Sequence, residues 1–310
     1  MRNEKKKKKK RTWLKVVGIV VLLIILGGGA FAYSVWNALT KTVDTMHTPI
    51  DRNTEKRTKD LTLSDQEPFS ILMLGVDERD GDRGRSDTMI VLTVNPQKKS
   101  VKMLSIPRDT RTEIVGHGTQ DKINHAFAFG GAKMSMDTVE NFLDIPIDYY
   151  MKINMEGFKD IVDAVGGVTV QNNLDFTSDG VHFAKGTLTL NGKDALSYAR
   201  MRHDDPNGDF GRQSRQRSII EAVIKEGASI SSLTKYDEVF GALSKNIQTN
   251  LTFDDMMDIQ KNYRAASKDI SESSINGTGT KIDGIYYYIV SEEEQEKVQT
   301  ELKEHLAIKK

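Results

Sequence analysis

The sequence predicts an α/β or α+β domain, a central sheet flanked by helices, set behind one N-terminal hydrophobic span. Three observations predict it. Residues 16–36 carry no charge over 21 positions. Three strand-like segments, bounded by polar turns, crowd residues 69–106. Helical apolar spacing dominates from Ser135 onward.

The chain opens with nine basic residues and one acidic residue in positions 1–15, a basic tail. The run Val16–Trp36 would form a helix ~31 Å long, the thickness of a bilayer's hydrocarbon core. Flanking lysines stay on the cytoplasmic side, so the expected topology is single-pass type II, N-terminus inside and the remainder outside the cell membrane. Tyr33 and Trp36 stand where an interfacial aromatic belt belongs. Ala30-Phe31-Ala32 also resembles a signal-peptide cleavage site, but the apolar run continues past it, which favours a retained anchor. Residues 37–68 are polar without a sustained hydrophobic period and read as a stalk outside the membrane. Residues 69–310 suit one domain with a C-terminal extension.

Within that domain, Phe69–Val76 reads as a buried strand ending at Asp77, followed by strands over Thr88–Val94 and Val101–Ile106. Helices are predicted over Ser135–Leu143, Ala195–Tyr198 (opened by Asn191), Phe210–Glu226, Tyr236–Asn246, Asp254–Ala266 and Glu292–His305, with a late strand at Ile285–Val290. There are no cysteines, so neither a disulfide nor a thiolate metal site exists. Overall neutrality hides an asymmetry: outside the +8 tail the chain carries 35 basic and 43 acidic residues, a net −8, which argues against nucleic-acid binding.

Arginine placement is the most informative pattern. Of 15 arginines, ten lie in two windows, Arg79, Arg83, Arg85, Arg108, Arg111 and Arg200, Arg202, Arg212, Arg215, Arg217. A guanidinium grips phosphate oxygens bidentately, so the clusters point to an anion site, with surface ion pairing as the alternative. Asp77, Asp87 and Arg108 fall at strand ends, where α/β folds place sites. Arg200 and Arg202, two apart, would point the same way in an extended stretch. Arg212, Arg215 and Gln216 share a helix face by spacing, while Ile219, Ile220, Val223 and Ile224 come only in that helix's second half. Asp77 and Asp87 suit Mg²⁺, which takes one or two carboxylates and completes its shell with water and phosphate oxygen; otherwise each orients an arginine. Asp77, Asp87 and Asp209 are the candidate bases. Met136, Val139, Phe142 and Met256, Met257, Ile259 read first as core and alternatively as a lipid groove.

The blocks Leu74-Gly75-Val76-Asp77, Arg85-Ser86-Asp87-Thr88, Ser105-Ile106-Pro107-Arg108-Asp109, Lys122-Ile123-Asn124, Tyr198-Ala199-Arg200-Met201-Arg202 and Asp209 to Gln216, in order between 74 and 217, resemble the LytR-CpsA-Psr family of Gram-positive envelope proteins. The resemblance implies an α-β-α domain with a mixed central sheet. It implies a phosphotransferase that moves a teichoic acid from an undecaprenyl-pyrophosphate carrier to the 6-hydroxyl of N-acetylmuramic acid in peptidoglycan. By the family pattern Asp77 and Asp87 would bind Mg²⁺ (or Mn²⁺). Arg85, Arg108, Arg200, Arg202 and Gln216 would grip the pyrophosphate, with Asp209, Arg212 and Arg215 in support and Lys122 carried over by position. Two rival functions are a hydrolase of the same lipid pyrophosphate and a membrane-anchored receptor or regulator. A tail of 15 residues is too short for a folded signalling domain, which counts against the receptor.

Overall fold

The computed structural model describes residues 33–308 except 35, 53–55, 58, 78–83, 203, 230–243 and 245. The basic tail, nearly all of the predicted membrane span, Arg79, Arg83 and most of the helix predicted over Tyr236–Asn246 lie outside the described residues.

The chain enters with helix α1 (36–46). Strands β1 (Phe69–Val76), β2 (Ser86–Asn95) and β3 (Ser100–Ser105) follow, then a hairpin of β4 (Arg111–Ile114) and β5 (Thr119–Lys122). Next come α2 (His125–Leu143), β6 (Tyr149–Ile153), α3 (Met155–Ala164) and four short strands, β7 (Val168–Asn172), β8 (Phe176–Ser178), β9 (Val181–Phe183) and β10 (Gly186–Leu190). Two helices, α4 (Gly192–Arg200) and α5 (Asp209–Ser229), precede β11 (Ile247–Thr249), α6 (Phe253–Asn262) and β12 (Ile270–Ser274). The chain closes with the hairpin β13 (Thr278–Ile282) and β14 (Ile285–Ile289) and with α7 (Glu292–His305).

Six strands form one mixed sheet in the order β11-β6-β1-β2-β3-β12, antiparallel except at β6/β1 and β3/β12. Strand alternation divides β1 cleanly. Leu72, Leu74 and Val76 join Met89, Val91 and Leu104 in a core closed by α2 and α7. Ile71 and Met73 face the other way, toward α5 and α6, with Leu92 and Val94. Both faces are covered, which is why these strands read as near-continuous apolar runs. The predicted helix at Ser135–Leu143 is only the second half of α2, whose Gly130 and Gly131 break the helical angles (Gly131 φ 66°). Asn154, Asn191, Thr252 and Ser291 cap α3, α4, α6 and α7 by accepting backbone N–H groups in the first turn.

The expected stalk is not one. Leu39, Val43 and Met46 are buried against Ile153, Ile247 and Phe253. Beyond α1, Arg52 Nε donates to Asp137 at 2.6 Å and Arg57 pairs with Asp148. Spacing of i, i+4, i+7 puts the three apolar residues on one stripe, too sparse to stand out among polar neighbours until its partners on β6, β11 and α6 are in place.

At the C-terminus His305 is buried, its ring nitrogens 2.7 Å from Thr93 Oγ1 and 2.9 Å from Ser100 Oγ. Burial, helped by Lys98 and Lys102, pushes its pKa down to about 4. The ring is therefore neutral when folded, while the unfolded chain takes up a proton near pH 6.5. Stability is intact above that pH and falls as pH drops toward 4, by about 3 kcal/mol in total. Thermal melts of the chain should show this acid loss, and His305→Gln should flatten it between pH 6.5 and 4.

Candidate active site

Between the sheet and helices α3, α4 and α5 lies a cavity of about 440 Å³. Its walls are apolar: Ile71 and Met73 of β1, Met151 and Ile153 of β6, Phe158 and Ile161 of α3, and Ile219, Ile220, Val223 and Ile224 of α5. Asp77, Asp87, Asn154, Arg200, Arg212 and Gln216 line the same cavity as its charged and amide groups. A pocket so divided suits an amphiphile whose head is anionic. The second half of α5 supplies wall and the first half supplies charge, as the distribution of its isoleucines predicts.

Asp87 owes its direction to a β-bulge. Gly75 pairs with Thr88 but Val76 pairs with Ser86, leaving Asp87 as the extra residue. Strict alternation would turn Asp87 toward Met89 and Val91 in the opposite core; the bulge re-aims it beside Thr88 into the cavity. Asp87 Oδ1 forms an ion pair with Arg108 Nη1, 2.9 Å away and just outside the cavity wall. Burial works against the charge on Arg108, yet Asp87, with Asp209 and Asp109, outweighs it and holds the pKa above its ordinary value. Lys122 Nζ donates to Asp109 at 2.7 Å, and Asp109 in turn lies 3.7 Å from Arg108 Nε. Lys122 thus acts on Asp109 and, through it, on Arg108.

On α5, Arg212 Nη2 lies 2.7 Å from Asp209 Oδ1 and 3.4 Å from the Asp87 carbonyl oxygen. Burial lowers the Arg212 pKa; Arg108 and Arg202 push the same way, and Asp209 restores part of it. Arg212 Nε, Gln216 Oε1 and Asp209 Oδ1 are buried without a hydrogen-bond partner, Asp209 Oδ1 being close to Arg212 but out of line for a bond. Buried polar atoms are nearly always satisfied, so orphans on Arg212 and Gln216 beside one cavity fit a polar ligand.

Two expectations about arginine directions are corrected. Arg215 does not share the face of Arg212 and Gln216. On a helix, residues 212 and 216 diverge by about 40° but 215 and 216 by about 100°. Arg215 turns inward instead, donating from Nε to Tyr198 O at 3.0 Å and from its other nitrogens to Met201 O and Asp205. It splints the end of α4 and the loop behind it rather than reaching a ligand. Arg215→Ala would leave the buried Asp205 carboxylate unpaired and should lower stability by about 3–5 kcal/mol, read as a drop in Tm. Arg200 and Arg202 do not lie on a strand: Arg200 ends α4 and Met201 is its cap. Arg200 reaches the cavity. Arg202 is exposed beyond it and near enough to act on Arg212, and Arg85 is exposed one residue before β2. Among the described residues none of Arg85, Arg200 and Arg202 has an ion pair. Arg217 is structural, bound to Glu272 and Ser105 Oγ.

The candidate groove residues follow the first of their two readings and belong to the core rather than to the cavity. Met136, Val139 and Phe142 pack in the core on the opposite face of the sheet. Met256 and Met257 flank α1, and Ile259 packs with Tyr263 and Ile90. The true wall residues Ile71 and Met73 were visible only as alternate positions of a strand. Asp109 was visible only as a neighbour of Arg108. For a metal, Asp77 and Asp87 are the two carboxylates on the cavity, the number that Mg²⁺ takes, and Asp87 also orients Arg108; among the described residues no group of three or more His, Asp or Glu side chains is placed to hold a metal.

The LytR_cpsA_psr family model matches residues 33–304. The chain is 53% identical over 278 residues to the polyisoprenyl-teichoic acid–peptidoglycan teichoic acid transferase TagU of Bacillus subtilis (strain 168), covering 90% of each chain. The crystal structure of B. subtilis TagU aligns at 52% identity with a TM-score of 0.64, covering 77% of this chain and 97% of that one. The structure of TagT bound to LIIa-WTA aligns at 33% identity and a TM-score of 0.72, covering 84% and 100%. On this match, which begins just before α1 and ends within α7, the chain belongs to the LytR_cpsA_psr family.

Proposed function

We propose that the protein is a Mg²⁺-dependent phosphotransferase. It would move an anionic cell-wall glycopolymer, wall teichoic acid foremost, from its undecaprenyl-pyrophosphate carrier to the 6-hydroxyl of N-acetylmuramic acid in peptidoglycan. The observation that carries this reading is the divided cavity, apolar along α3 and α5 and lined by Arg200, Arg212 and Gln216 at its polar part. The transferase names of the relatives agree with it.

The chain's own groups assign themselves to the chemistry. The acceptor oxygen attacks the phosphorus that carries the glycopolymer, the bond to polyprenyl phosphate breaks, and the hydroxyl proton passes to a base. Negative charge grows on the transferred and leaving phosphates, and preorganised guanidinium groups stabilise it most where water is excluded. Arg108 is aimed by Asp87 and Arg212 by Asp209. Asp77, Asp87 and Asp209 are the candidate bases. Asp77 and Asp87 would hold the Mg²⁺, which neutralises phosphate charge when bound.

The N-terminal anchor fits the same picture. Met73, Met151, Phe158 and Ile161 belong both to the cavity wall and to the cluster packed on α1. The apolar part of the cavity therefore adjoins the helix that follows the hydrophobic span, an arrangement suited to a type II protein whose domain takes a lipid from the outer leaflet. In detergent, the full chain with a lipid-pyrophosphate glycan should release polyprenyl phosphate only when peptidoglycan oligosaccharide and Mg²⁺ are both present. Equal release without the acceptor would make it a hydrolase and overturn the proposal.

A further inference from the structure

The hairpin β13–β14 carries aromatic rings laid flat on the protein, and the sequence shows how. Gly277 and Gly279 lack the side chains that would lift them. A Cβ on Gly279 would meet the Tyr286 hydroxyl at 2.6 Å and its ring at 2.8 Å, and one on Gly277 would meet the Tyr288 ring at 2.7 Å. Tyr286 therefore lies across Gly279 with its other side open, 45% exposed, while Tyr288 is buried. Phe210, 42% exposed, packs on Tyr288 with ring centroids 5.7 Å apart.

This strip starts at the active site. Phe210 directly follows Asp209, the partner of Arg212. The Tyr288 N–H donates to the Asp109 carbonyl at 2.8 Å, and Thr110 bridges Tyr288. Arg108 is thus one residue from the hairpin's point of attachment. No hairpin residue lines the apolar cavity, so a lipid there and a ligand on the strip do not compete. Lys281, directly across from Tyr286 on the same face, is exposed and has no ion pair among the described residues.

We infer that the strip Phe210–Tyr288–Tyr286, ending at Lys281, is the docking surface for the acceptor glycan. The inference rests on the transferase reading above and adds where its second substrate binds. A pyranose ring has an apolar face of C–H groups and a polar rim, and its C–H edges meet the negative face of an aromatic ring favourably. Lone exposed aromatics are ordinary, but two open rings, Phe210 packed on Tyr288 and Tyr286 two residues before Tyr288 on the same strand face, are a place to stack consecutive sugars. Lys281 suits the carboxylates that a muramic acid glycan bears. Continuity with Asp109 and Asp209 brings a sugar hydroxyl to the arginines.

The test uses the full chain in detergent, a soluble peptidoglycan oligosaccharide and a lipid-pyrophosphate donor, with glycan binding read by NMR and transfer by polyprenyl phosphate release. Tyr286→Ala and Phe210→Ala should each weaken glycan binding and raise the acceptor KM about tenfold, or about 1.4 kcal/mol, with kcat and donor KM unchanged. Gly279→Ala should do the same by lifting the Tyr286 ring, and Tyr286→Phe should restore binding. Unchanged acceptor affinity in both alanine variants would overturn the inference. So would a wild-type chain that binds the donor but not the oligosaccharide, an outcome that leaves the donor reading standing. Glycan binding lost in the variants, with no transfer by the wild type, would instead overturn the transferase reading and keep the strip.

Discussion

Arg108→Ala should lower the transfer rate about a thousandfold with the fold intact. The expected size follows from what Arg108 is: a guanidinium held above its ordinary pKa despite burial, its Nη1 fixed 2.9 Å from Asp87. Removing one such preorganised donor costs roughly 3–4 kcal/mol in transition-state stabilisation. It also leaves the Asp87 carboxylate facing the phosphates without its partner. Arg108→Lys should recover only a small part, because an ammonium cannot hold Asp87 and a phosphate oxygen in one planar fork. Polyprenyl phosphate release under saturating donor and acceptor measures kcat, and a thermal melt of the same preparation shows that the variant is folded. A wild-type kcat in folded Arg108→Ala would remove Arg108 from the site.

Val223→Trp should raise the KM for a long polyprenyl donor about a hundredfold while leaving a donor with one or two isoprene units nearly untouched. Val223 lines the cavity on α5, in the half of the helix farther from Arg212. An indole there occupies space that the lipid would fill. Displacing three to four carbons of the polyprenyl chain at about 0.8 kcal/mol each costs roughly 3 kcal/mol of binding. Equal loss for short and long donors would mean that the cavity does not take the lipid tail. The contrast with Arg108→Ala is diagnostic: one change acts on kcat whatever the chain length, the other on KM and only for long chains.

The two halves of the site differ in how far the sequence disclosed them. Arg212 and Gln216 are four apart on a helix, so their common direction follows from helix geometry alone. Asp87 was identifiable as a residue type in a telling place, yet its direction depends on a bulge, which exists only as a mismatch between two paired strands. Arg215 carries the same charge as Arg212 and sits three residues away. Whether an arginine meets a ligand or three groups of its own chain depends on what lies across the helix, here Tyr198, Met201 and Asp205. The groove followed the same logic. Met136, Val139 and Phe142 form a sound amphipathic stripe, but the stripe says only that something covers it.

The sequence by itself determined the elements of the α-β-α domain around β1 to β3 and the division of α5 into a charged half and an apolar half, and it marked the two arginine windows, part of which the fold uses for its own ion pairs. These are local properties, set by residue type and by the 2.0 and 3.6 residue periods of strand and helix. Only the tertiary structure decided which face of the central sheet is filled by α2 and α7 and which is left hollow under α3 to α5. Alternation along β1 labels Ile71 and Met73 as opposite to Leu72 and Leu74, but it does not say which side the packing leaves open. The same holds for residues 37–68: Leu39, Val43 and Met46 become part of the domain because β6, β11 and α6 present a surface to bury them, and that surface is assembled from parts of the chain more than a hundred residues away.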